Sequence, residues 1–179
     1  MIIERPAVLD TCVLINLLAT DRITEVVRFI APTCLVCSAV SGESLYLRPL
    51  EADGKVEPVD LSPLIDAGVL TACQIEGSAE EELYVNYALE LDDGEAMSLA
   101  IAQSRNFALA TDERKARRIV RENIAQLSII STTEIINAWS EGKDRDEIIA
   151  VVRSIFARAR FRPPDSDPLA SRWNELLNG

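Results

Sequence analysis

Short apolar runs alternate with amphipathic stretches along the chain. Residues 6–9, "PAVL", predict a short buried strand, and the following "TCVLINLLA" a helix. "ITEVVRFI" (23–30) predicts a second helix and "TCLVC" (33–37) a second strand. Residues 39–50 predict a helix that Pro49 should end. Residues 51–60 are polar and contain Gly54 and Pro58, the composition of a loop. "LSPLIDAG" predicts a short helix closed by Gly68, and 69–75 a strand. Ser78 and Glu81 form an S-x-x-E capping box for a helix reaching Leu91. Asp93 is placed to cap the next helix, "DDGEAMSLAIAQSRN". Two more strand–helix units follow: "FALAT" with "DERKARRIVRE", then "LSIIS" with "TTEIINAWSEG". A long amphipathic helix, "DRDEIIAVVRSIFARARF", a break at "RPPDSDP" and a last helix complete the pattern.

Strands that alternate with helices imply right-handed crossovers and a mainly parallel sheet. The expected fold is α/β, a three-layer α/β/α arrangement. Residues 1–138 are expected to form the main domain. Residues 139–179 are expected to form a helical extension packed on it.

Composition narrows the chemistry. The 179 residues contain no histidine. That removes Ser-His-Asp triads, Cys-His dyads and histidine metal sites, and leaves carboxylates, lysine, tyrosine, cysteine or a hard metal ion. No apolar run is long enough to span a bilayer, so a soluble, cytoplasmic protein is expected. Of the four cysteines, Cys34 and Cys37 form a CxxC. With no second CxxC and no histidine, they read as two small apolar side chains on a buried strand. The net charge of −11 opposes nucleic acid as a partner, but twelve of the 18 Lys and Arg residues fall within 105–162. A local basic patch can still attract phosphate.

In an open parallel sheet, sites form at the carboxyl ends of the strands. Asp10 follows the strand "AVL" and Asp112 follows "FALAT". Either alone would pass as a helix cap. Glu43 is expected one turn into the helix after "TCLVC", and Glu95 in the first turn of a largely apolar helix. Together the four put carboxylates at one sheet edge. Clustered carboxylates repel unless protonated or bridged by a cation. An oxygen-only set suits Mg²⁺ or Mn²⁺ better than zinc. A phosphotransfer site using Asp10 as nucleophile would want a second aspartate two residues on, where this chain has Cys12.

At these residues the chain resembles a PIN domain, the metal-dependent ribonuclease fold of bacterial toxin–antitoxin toxins. "AVLDTCVLINLL" resembles the family's opening element and "CSAVSGESLYL" its second acidic element. "LDDGEAMSLAIAQSRNFALATDERKARRIV" resembles its acid–helix–strand–Thr-Asp–basic helix run. The resemblance spans residues 6–138. It implies that Asp10, Glu43, Glu95 and Asp112 are the catalytic and metal-binding acids, supported by Thr11 and Thr111. It also implies a Mg²⁺ or Mn²⁺ cofactor and cleavage of RNA to a 5′-phosphate and a 3′-hydroxyl. Cys12 departs from the pattern, where Asn or Ser is more usual. A non-catalytic module of the same fold, binding metal or a partner, is the competing reading.

Substrate binding needs positive charge beside those acids. Arg114, Arg118 and Arg121 are spaced i, i+4, i+7 after Asp112 and are expected on one helix face toward the RNA. Arg153, Arg158, Arg160 and Arg162 form a second basic run. The resemblance further implies an antitoxin that covers the site and a homodimer formed through helices. The apolar stripe Ile148, Ile149, Val152, Ile155 and Phe156 is a candidate for that contact, or for packing on the domain itself.

Overall fold

The structure is a computed structural model that describes residues 2–43, 45–49 and 54–179. Five parallel strands form the central sheet: β1 (Ala7–Leu9), β2 (Cys34–Cys37), β5 (Thr71–Cys73), β6 (Ala108–Ala110) and β7 (Ile129–Ile130), in the order β5-β2-β1-β6-β7. β1 pairs with β2 on one side, Ala7 opposite Cys34, and with β6 on the other, Ala7 opposite Ala108. The three middle strands are wholly buried. That explains their unbroken runs of small and branched apolar residues, since a strand covered on both faces has no polar side to show. Cys34 and Cys37 belong to this core as free thiols. The expected α/β fold with a parallel sheet flanked by helices is the one observed.

The chain winds from β1 outward to β5, then crosses back to place β6 beside β1. The strand order therefore reverses at the β1/β6 junction, where an open α/β sheet leaves a crevice at its carboxyl edge. α1 (Thr11–Leu18) leaves β1 at this edge and α7 (Arg114–Asn123) leaves β6. α6 (Asp93–Ser104) packs on β1, β2 and β6, with α5 (Gly77–Tyr87) against it. α2 (Ile23–Ile30) packs on β2 and on α8 (Thr132–Trp139), and α8 also touches α1. A backbone hydrogen bond from Asp10 N to the Ala110 carbonyl, 3.0 Å, fastens the two strand ends at the crevice.

Local departures from the expected pattern have physical causes. The helix expected over 39–50 is only α3 (Ser38–Gly42). Glu43 follows it in extended backbone, and Tyr46–Leu47 (β3) turns to pair antiparallel with Glu57–Pro58 (β4). Residues 44 and 50 of that expected helix, and 51–53 of the expected loop, lie outside the described residues. α5 starts at Gly77 without the expected Ser78–Glu81 box: the Glu80 carboxylate instead accepts Glu76 N–H at 2.8 Å. It stops at Tyr87, short of Leu91. α4 (Ser62–Asp66) is closed by Gly68 in the left-handed region, as expected.

Residues 139–179 pack closely on the rest. α9 (Arg145–Ser154) runs into a π-type turn, Ile155–Ala159, and ends at Arg160 in left-handed backbone. Ile148, Val152 and Ile155 are buried here and Ile149 partly so, because α9 lies on α10 (Ala170–Asn178) and the turn lies on α1. Of the two readings of that stripe, the structure shows packing on the domain itself, with only Phe156 exposed. Trp173 of α10 meets Phe161 edge-on at 5.4 Å. No helix among the described residues is long and apolar enough to cross a membrane.

Candidate active site

Asp10 is 2% exposed at the end of β1 and caps α1. Its Oδ1 accepts Thr11 N–H at 2.8 Å, and its Oδ2 accepts the Thr111 hydroxyl at 2.7 Å and the Cys12 thiol at 3.3 Å. Burial raises its carboxyl above the usual range, these three donors oppose the rise, and the Asp92 carboxylate adds to it. Cys12 also accepts Asp112 N–H at 3.3 Å. Burial and the two flanking aspartates push its thiol far up, so it stays protonated and donates. Cys12 thus links Asp10 to the backbone of Asp112 through long sulfur contacts.

Asp112 follows β6 at the same edge, but its carboxylate turns toward α8. Oδ1 accepts Thr132 N–H at 2.9 Å. Oδ2 accepts the Thr132 hydroxyl at 2.6 Å and the Asn16 amide at 3.0 Å. The negative charge therefore sits on the amino end of a helix, a favourable place for it. Burial still raises the Asp112 carboxyl; the Thr132 bonds, Arg117 and Asn16 work the other way. The cap of α7 is the neighbouring Glu113, which accepts Lys115 N–H at 3.3 Å.

Glu43 and Glu95 approach Asp10 from α3 and α6. Asp92, not Asp93, caps α6, because its oxygen reaches Glu95 N–H at 2.9 Å while the Glu95 carboxylate returns to Asp92 N–H at 3.3 Å. Asp93 stands one position inside the helix and accepts the Tyr84 hydroxyl at 3.0 Å. Glu95 is pushed up to about 7, first by burial and then by the Asp92, Asp10 and Glu113 carboxylates. Glu43 is raised by burial, Asp92 and Asp10. The Thr11 hydroxyl lies close enough to oppose that rise, yet it is buried without a well-directed hydrogen bond. Gly94 makes this approach feasible: a Cβ there would stand 2.6 Å from Glu43 Oε1 and 3.4 Å from Thr11 Oγ1.

Glu43 and Glu95 are thus each within electrostatic reach of Asp10 and of Asp92. Asp112 joins Asp10 through Cys12 and Thr111. Asn16, Thr132 and Asp92 are site residues that sequence reasoning missed. Asn16 left a signal, a polar residue in the otherwise apolar "VLINLL" that is 4% exposed in the fold.

The donor chemistry fits a hard divalent ion. It offers carboxylate and hydroxyl oxygens without histidine, raised carboxyls that a cation would relieve, and an unsatisfied hydroxyl on Thr11. Among the described residues no three Asp, Glu or Cys side chains already close around a common point. Mg²⁺ does not require such a cage, since it keeps several waters and commonly takes one or two carboxylates.

On the basic side, Arg117 donates to the Thr111 carbonyl at 3.1 Å and lies 3.8 Å from Glu134. Arg118 turns away to Glu90 at 2.9 Å and Glu122 at 3.5 Å. The face that opens beside Asp112 and Glu113 therefore carries Arg114, Arg117 and Arg121 rather than the expected Arg114, Arg118 and Arg121. Arg158 is buried and holds Asp21 at 2.5 Å and Glu57 at 2.7 Å, a structural role.

No curated protein and no solved structure matches the chain. A family model described as a PIN domain matches residues 6–165, nearly the whole chain and well past α8. With the parallel sheet, the reversal beside β1 and acids at that edge, this match shows that the chain belongs to the PIN-domain family, a nuclease-type module.

Proposed function

We propose that the protein is a metal-dependent ribonuclease that hydrolyses RNA phosphodiester bonds, and that it serves as the toxin of a toxin–antitoxin pair. The observation that carries this reading is the grouping of Asp10, Glu43 and Glu95 at the β1/β6 crevice, with all three carboxyls raised. PIN domains in general use divalent metal ions, and Asp10, Glu43, Glu95 and Asp112 would hold Mg²⁺ or Mn²⁺ here. The ion, when bound, supplies the charge that acidifies a water and offsets charge on the phosphoryl oxygens.

The chain's own residues divide the remaining work. Thr111 and Cys12 fix the Asp10 carboxylate by bonding one oxygen, and Thr11 N–H holds the other. Asp92 orients Glu95 through the reciprocal cap of α6. Burial and the Asp92, Asp10 and Glu113 carboxylates push the Glu95 carboxyl up in the absence of a cation, and a bound ion would favour its ionised form as a ligand. Glu43, on an exposed edge against Gly94, is placed to complete the ion's shell or orient water. Asp112 and Thr132 fix the amino end of α8 beside the crevice.

The test is RNA cleavage with Mg²⁺ or Mn²⁺ by the parent chain and by Asp10→Asn. Activity is expected in the parent, and loss to background is expected in the variant and in EDTA. Undiminished cleavage in either case would overturn the reading. The Asp112 carboxylate, which already accepts three hydrogen bonds from Thr132 and Asn16, favours one second reading, a module of the same fold that binds metal or partner without cutting. Calorimetric Mn²⁺ binding by a chain that never cleaves RNA selects it. The antitoxin is proposed as a small protein covering the acidic edge.

A further inference from the structure

A hollow of about 770 Å³ opens beside the acids, on the far side of Asp112 and Glu113. One wall is α7, through Arg114, Arg117 and Arg121. These sit at i, i+3 and i+7 and share a helix face. The opposite wall comes from the distant C-terminal segment 161–169 and includes Phe161 and Arg162. Ser131 and Glu134, at the start of α8, lie between the walls. The volume falls within the range of about 300–1,000 Å³ common for ligand sites.

The second wall is fixed in place. Asp167 accepts the Thr133 hydroxyl at 2.7 Å and Leu169 N–H at 2.8 Å. Thr133 is adjacent to Thr132, which holds Asp112, so one turn of α8 locates both the acid and the C-terminal wall.

Charge in the hollow is unevenly matched. Of the four acids that line it, Asp112 is held by Thr132 and Asn16, Glu113 by Lys115 N–H, Asp167 by Thr133, and Glu134 by Ser131 and, at 3.8 Å, by Arg117. Arg114, Arg121 and Arg162 have no carboxylate partner among the described residues, and Arg162 rests 5.9 Å from the Phe156 ring. On a chain of net charge −11, three unmatched guanidiniums facing one hollow form a local site for anions.

Resting on the nuclease reading above, we infer that this hollow holds the sugar–phosphate backbone of single-stranded RNA next to the bond being cut, with Arg162 of the C-terminal segment gripping it opposite Arg114 and Arg121. The segment beyond α8 is then a working part of the substrate path. Guanidinium forks suit phosphate oxygens. The one aromatic ring in the hollow, Phe161, is engaged with Trp173, which leaves little for base stacking. Backbone contact with weak sequence preference follows.

The test is fluorescence anisotropy with a labelled single-stranded RNA of about twelve nucleotides, within the span such grooves cover. Binding is measured across a salt series in EDTA, and again in Mg²⁺ on the Asp10→Asn background. The Arg114→Gln/Arg121→Gln/Arg162→Gln variant should bind more weakly, with a slope of log K against log salt shallower by about 2. Arg162→Gln alone should flatten it by about 0.7. A control variant, Arg28→Gln/Arg153→Gln, should keep the parent slope. An unchanged slope in the triple variant, an equal loss in the control, or no RNA binding by the parent would overturn the inference. So would a poly-glutamate peptide that binds the parent and not the triple variant while RNA binding is unaltered, since the hollow would then serve an acidic protein. A chain that cleaves RNA with these arginines irrelevant to binding sinks this inference alone. A chain that binds through them and never cuts sinks only the nuclease reading.

Discussion

Gly94 sets how closely Glu43 can approach α6. A methyl group there would collide with the mobile end of the Glu43 side chain, 2.6 Å away, and not with backbone. Gly94→Ala should therefore leave stability unchanged or raise it by about 0.5–1 kcal/mol, the usual gain from Ala over Gly within a helix. RNA cleavage should fall about 10–100-fold as Glu43 is displaced, an effect typical of disturbing groups around a metal site. Parallel urea denaturation and cleavage assays separate the two outcomes. Glu95 gives a pH dependence. Its folded value of about 7 lies above its ordinary one, so the folded state binds this proton more tightly. The stability it contributes is complete below about pH 4 and is lost as pH rises through about 7. The raised Asp10, Glu43 and Asp112 act in the same direction. Thermal midpoints in EDTA should be lower at pH 8 than at pH 5, with a smaller difference in Glu95→Gln. Added Mg²⁺ should raise the midpoint more at pH 8, where it does not compete with protons.

Among the elements, α5 and α6 are joined by a buried ion pair. Glu80 is 4% exposed and takes Arg105 Nε and Nη2, both at 2.8 Å, while Arg105 also reaches the Gln74 carbonyl at 2.7 Å. Arg105→Ala would strand that carboxylate, so urea denaturation should show a loss of about 3 kcal/mol. An unchanged urea midpoint would show that the pair is dispensable. The three middle strands were legible in the sequence because strands buried on both faces must be apolar throughout. The helix ends were less so. Two adjacent aspartates, 92 and 93, look alike as caps, and only backbone direction selects Asp92. Glu43 was expected inside a helix that Pro49 would end, but α3 stops at Gly42, and Leu45 and Leu47 serve the core from outside it. On α7 the hollow is lined by Arg117 beside Arg114 and Arg121, while Arg118 pairs with Glu90, distant in sequence.

For the molecule as a whole, strand order positions the site and side chains tune it. The reversal beside β1 could be anticipated only as a consequence of parallel strands, and the acids at strand ends pointed to it. The role of Asp112 in holding α8 was not legible, because Thr132 and Asn16 reach it from 20 and 96 positions away in sequence. The hollow was equally hidden, as its walls come from segments about forty residues apart. The bond from Asp10 to the Ala110 carbonyl has one more consequence, which concerns timing. Asp10, Glu43 and Glu95 all leave the ribosome before Ala108–Ala110 and Thr111 do, so at that stage β1 lacks its neighbour β6 and Asp10 lacks the Thr111 hydroxyl. A partly made chain therefore carries three of the four acids without the frame that aligns them, and the site is assembled only once β6 has emerged beside β1.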